Sequence, residues 1–147
     1  MAFRFSLETV LHFRKSVEQA EQATLHQIVQ AISIHRAELR QIEENQHSLR
    51  EQRNRELNQG LPAAHLLEWN DREESFSRAA NLLRQELQRL ELARQKQMLI
   101  FQNARREREI LSRIREQRHN TWEREEARKQ QKAIDELFLI QLLSERK

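Results

Sequence analysis

Apolar residues recur along this chain at alternating three- and four-residue steps, the spacing that lines one face of a supercoiled helix. In the first third the row runs Leu25, Ile28, Ile32, His35, Leu39, Ile42, Gln46, Leu49. Upstream, Leu7, Val10, Leu11 and Val17 form an apolar stripe whose phase slips before Leu25, which predicts a stutter. Beyond residue 62 one phase fits Trp69, Glu73, Phe76, Ala80, Leu83, Leu87, Leu90, Arg94, Gln97, Phe101, Ala104, Arg108, Leu111, Arg115, Arg118 and Trp122. This second row fades toward its C-terminal end. His35, on the seam of the first row beside Gln46, reads as a register-setting polar residue.

The helical pattern breaks at one place, Asn58-Gln59-Gly60-Leu61-Pro62, which holds the only Gly and the only Pro of the chain. Gly60 suits the left-handed position that closes a helix, and Pro62 suits the opening turn of the next. The pattern predicts helix one over about 6–57, a turn over about 58–62 and helix two over about 62–143. At 1.5 Å per residue these helices are roughly 80 Å and 120 Å long. Neither can bury its stripe alone, and the connection is short. The expected fold is all-α: a long antiparallel two-helix coiled coil, a helical hairpin, spanning 1–147 as one domain with a longer, overhanging second helix. Residue i then faces about 122 − i, which places Leu7 near Arg115 and Ile42 near Ala80. Residues beyond about 117 are left without a partner in their own chain. That overhang carries a basic stretch and an apolar tail, Ile134 to Leu143. An unpartnered apolar stripe predicts a protein-binding surface, and a tail that folds back or pairs in a dimer is the equal alternative.

Composition narrows the chemistry. The 147 residues include 26 Lys and Arg, 23 Asp and Glu, one Gly, no Cys and no Tyr. Without Cys there is no disulfide framework, thiolate nucleophile or Cys-ligated zinc, and a cytoplasmic setting is expected. No secretory signal pattern opens the chain, and no run reaches the ~18 apolar residues that span a bilayer, so no membrane insertion is expected. One Gly cannot build a phosphate-cradling loop. The six histidines, at 12, 26, 35, 47, 65 and 119, never fall three or four residues apart, so no metal site is expected. A two-helix coil offers no concave, dehydrated pocket, and pairs such as Glu43-Glu44 and Glu73-Glu74 read as solvated surface charge. The expectation is therefore a non-enzyme without cofactors.

The net charge of +3 is small, but its distribution is uneven. From Arg105 to Lys132 ten basic residues stand against six acidic ones. Nucleic-acid binding needs a face of uncompensated positive charge. Here Glu107, Glu109, Glu116, Glu123, Glu125 and Glu126 interleave with the basic residues at intrahelical pairing distance, and an acidic protein surface is the better partner. A basic coiled-coil protein that binds RNA or the ribosome remains the alternative reading.

The opening residues are more specific. Phe3 to Arg14, F-R-F-S-L-E-T-V-L-H-F-R, followed by Glu18-Gln19-Ala20 and Glu21-Gln22-Ala23, closely resembles the start of the FliJ family. These are the coiled-coil components of the bacterial flagellar type III export apparatus. The chain length, the turn near residue 60, a Trp soon after it and a basic, Gln-rich distal helix are also similar. The resemblance implies a stalk like the central γ shaft of rotary ATP synthases. The stalk would bind the hexameric ring of the export ATPase FliI, promote its assembly and activity, contact the linker of the export gate protein FlhA and cycle export chaperones. It implies motility-related protein transport in the cytoplasm, peripheral to the inner membrane through the export apparatus. The equivalent stalk of a non-flagellar type III system is a second alternative. Carried onto this chain, the resemblance implies ATPase binding at Phe3, Phe5, Leu7, Leu11, Arg14, Arg124, Arg128 and Lys132. It implies gate binding at Ile42, Leu49, Trp69, Phe76, Ala79 and Leu83.

Overall fold

A computed structural model describes residues 1–60 and 62–146. Two helices account for nearly all of them: α1, Glu8–Asn58, and α2, Ala63–Glu145. They pack antiparallel as an all-α helical hairpin. Long runs of Leu, Ala, Glu, Gln and Arg favour helix, and no internal Gly or Pro interrupts either segment.

The ends have local causes. Residues 1–7 are not helical. The Phe5 carbonyl accepts the Glu8 N–H at 3.2 Å, and Glu8 places a carboxylate in the first turn, where the helix dipole favours it. At the other end, the Gln59 and Gly60 amides donate to the Glu56 and Leu57 carbonyls at 3.1 and 3.3 Å, and Gly60 takes φ +81°. That left-handed conformation costs glycine little and exposes the chain to a reversal. Pro62 precedes α2, its carbonyl accepting the His65 N–H at 3.1 Å. Leu61, in the predicted turn, lies outside the described residues.

The chain divides into two compact units, one formed by residues 20–101 and the other by residues 1–19 with 102–147. In the 20–101 unit, Ile32, Trp69, Ala80 and Leu90 are buried. Gln46 donates to Ser77 at 3.2 Å and Arg84 to Glu43 at 3.3 Å, pairs that follow the expected antiparallel register. In the other unit Phe5, Leu11 and Ala104 are buried, and Arg115 donates to Glu8 at 2.9 Å.

Three sequence expectations are corrected. The α1 row has no stutter: Leu7, Leu11, Arg14, Glu18, Glu21, Leu25 and Ile28 are all buried or half-buried at unbroken four- and three-residue steps. Apolar residues alone hid the phase, because long charged side chains occupy three of these positions and pair across the seam. Val10, read as part of the stripe, is instead exposed. In α2, His119 is half-buried where Arg118 was expected, and the overhang starts later than residue 117. Phe3 reaches His119 and Trp122, because the extended N-terminal segment covers more length per residue than a helix does. From residue 127 to 146 every position is exposed.

Candidate functional site

The terminal unit contains all eight residues implied in ATPase binding. Residues 1–7 lie along α2 and fix its side chains by aromatic and ionic contact. The Phe3 ring meets His119 edge-on, with centroids 4.9 Å apart and planes at 89°, and lies 6.0 Å from Trp122. Arg115 sits 5.6 Å from the Phe3 centroid and Arg118 sits 5.4 Å from that of Phe5, both within cation–π range. Arg118 also donates to the Ser6 hydroxyl at 2.9 Å. Below this cluster Leu11 is only 2% exposed. Arg14, half-buried, is bonded to Glu107.

Next along the seam is a bidentate pair. Arg108 donates through Nε and Nη2 to the two Glu18 carboxylate oxygens at 2.6 and 3.1 Å. The hydrogen bond from Arg108 holds the Glu18 carboxyl below the usual carboxylate range. Burial opposes this, while the charges of Arg108 and Arg105 reinforce it. The same bond raises Arg108. Such forked pairs fix geometry as well as charge.

Arg124, Arg128 and Lys132 lie beyond all of this. They are exposed and enter none of the ion pairs among the described residues. Successive four-residue steps place them in one row along α2. Thus the implied set splits physically. Phe5 and Leu11 are interior and shape the end of the hairpin. Phe3, Leu7 and Arg14 are half-buried at its edge, and the three cations stand open to solvent.

The residues implied in gate binding belong to the 20–101 unit, and there the seam claims them. Trp69 is buried, and Ile42, Leu49, Phe76, Ala79 and Leu83 are half-buried between the helices. Arg72 lies 5.9 Å from the Trp69 ring centroid on its outer side. Glu73 accepts from Arg50 at 2.6 Å and Arg53 at 2.9 Å. Those bonds, Arg50 first, hold its carboxyl below the usual range against the effect of burial. Arg53 Nε is buried without a hydrogen-bond partner. Leu67 and Leu82, absent from the implied set, are exposed on α2. Nothing in the apolar spacing singles them out, since they sit off the seam phase.

The buried polar residue of this seam is Gln97 rather than His35. Gln97 donates to the Glu21 backbone carbonyl at 3.1 Å and also to its carboxylate. His35 is half-buried, with Nδ1 3.3 Å from Glu38 on the same helix. A groove of about 540 Å³ runs along Val29, Ile32, Ser33, Arg36, Arg40, Glu91 and Arg94. Among the described residues no group of three or more His, Asp or Glu is placed to hold a metal ion.

The sequence matches the family described as flagellar FliJ protein over residues 3–147. The chain belongs to the FliJ family. No curated protein and no solved structure gives a significant match. Membership makes this FliJ-family chain a flagellar export-related protein. No helix among the described residues is long and apolar enough to cross a membrane.

Proposed function

We propose that this FliJ-family protein is a non-enzymatic stalk of the export apparatus. It binds the hexameric ring of the FliI-like ATPase by its terminal end, promotes ring assembly and turnover, links the ring to the linker of the FlhA-like gate and cycles export chaperones. It acts in the cytoplasm, held at the inner face of the inner membrane through those partners. The observation that carries the reading is the row Arg124, Arg128 and Lys132, exposed on α2 past the end of α1 and unpaired among the described residues. Elsewhere on the seam Arg14, Arg108 and Arg115 are neutralised by Glu107, Glu18 and Glu8. Exposed cations without intramolecular partners are available to an acidic surface and set association rate and specificity.

In this reading Phe3, Phe5, Leu7, Leu11 and Arg14 hold the N-terminal segment against α2, giving the terminal end one shape. Ile42, Leu49, Trp69, Phe76, Ala79 and Leu83 form the seam beneath the gate surface. Reversing charge at all three overhang positions, Arg124→Glu, Arg128→Glu and Lys132→Glu, tests the ATPase assignment. Association with the ATPase should weaken several-fold and lose part of its salt dependence. Unchanged affinity and salt slope would remove these residues from the contact.

A further inference from the structure

Two apolar surfaces of the terminal unit lack partners, and they fit each other. The first lies on the hairpin. At 100° per residue, Val10, Phe13 and Val17 leave the α2-facing row of α1 on one side. Ile110 and Ile114 leave the row of α2 in the same rotational sense. Residues displaced in the same sense on antiparallel helices fall on the same side of the pair. Displaced in the opposite sense are Glu8, Lys15, Ser112 and Glu116, and these line a polar groove of about 430 Å³. The two sides of this unit therefore differ in kind. Phe13 is 60% exposed and Ile110 56%, with Val10 open beside them.

The second surface is the tail of α2. Ile134, Leu137, Phe138, Leu139, Ile140 and Leu143 are all exposed, Phe138 by 60%. They do not form one narrow row. A helix apolar over so wide an arc is suited to a groove between two helices, which covers more of its circumference than one helix does. The tail cannot reach its own chain's face, because α2 is unbroken to Glu145 and about 20 residues, roughly 30 Å, separate Ile114 from Ile134.

Charge agrees with the match. Within the docking segment, residues 134–143, the charged residues are Asp135 and Glu136, both acidic. Between Arg105 and Arg118 six basic residues face three acidic ones, and Arg106, Arg113 and Arg118 pair with no carboxylate among the described residues.

We propose that the α2 tail, Ile134–Leu143, docks on the Val10–Phe13–Ile110–Ile114 face of a second copy of this chain, reciprocally. The two α2 helices run antiparallel, and the fixed spacing of face and tail along α2 lets both contacts form about one two-fold axis, so the assembly closes at two.

Sedimentation equilibrium of the full chain over a roughly hundredfold concentration range should show the mass rise from 17.9 kDa to twice that value. Phe13→Asp, or Leu137→Asp with Phe138→Asp, should each restore the monomer with helix content unchanged, because these side chains are exposed. The chain has no native Cys, so single-cysteine variants report the pairing directly. Mixed Phe13→Cys and Phe138→Cys proteins should cross-link to each other faster than either does to itself. A monomer at every concentration overturns the proposal. So does association that survives Phe13→Asp, and so does preferential self-cross-linking of Phe138→Cys, which would mark a tail-to-tail contact.

Discussion

Leu11 is the most completely enclosed large side chain of the hairpin, and its neighbours cannot all move to fill the space it would leave. Leu11→Ala should cost about 2–5 kcal/mol, read from chemical denaturation. A loss near zero would mean that the N-terminal segment collapses freely onto α2. Glu18 makes a different kind of prediction. Its carboxyl is depressed in the folded chain by the Arg108 hydrogen bond, so its contribution is present above the unfolded carboxyl pKa, about 4.3, and is lost as pH falls through the lower folded value. The gap in melting temperature between the native chain and Glu18→Gln should therefore be constant near neutrality and shrink below about pH 4. A gap that persists in acid would assign Glu18 a role in packing alone. Glu18 also shows what the sequence concealed: a carboxylate on the seam looks like a break in the apolar row until its partner 90 residues away is known.

Gly60 sets the reversal between α1 and α2, and its φ of +81° is the reason a side chain is unwelcome there. A Cβ at this position would meet nothing within 4 Å, so the penalty is purely in the backbone. Gly60→Ala should cost roughly 1–2 kcal/mol, measured by urea unfolding. A neutral result would show that the reversal has another route. This turn was the most legible feature of the chain, because Gly and Pro act locally and the rest of the sequence lacks both. Helix type and the seam past Leu25 were legible for a similar reason, since the 3.5-residue period survives wherever apolar residues keep it. Where α1 ceases to cover α2 was not. Counting residues helix against helix missed the extended segment that carries Phe3 to Trp122.

At the scale of the whole molecule, seam residues and exposed residues are separate sets. Phe76→Ala with Leu83→Ala should lower the melting temperature by several degrees, because both side chains are half-buried on the seam. An unchanged melting temperature with weakened gate binding would instead assign them to the gate surface. The candidate site was legible in part. The three overhang cations follow from a second helix that outlasts the first. Leu67 and Leu82 do not, because exposure off the seam phase has no signature in the spacing. The central claim is that the terminal end of this hairpin organises the export ATPase. The most direct test is ATP turnover by the cognate flagellar ATPase at sub-saturating concentration, with this protein absent, present, or present as the triple charge reversal, alongside the mass of the ATPase assembly. The stalk account predicts that turnover rises and hexamers accumulate with the native chain and that the reversal abolishes most of both effects. Turnover and assembly that are the same in all three samples would contradict it.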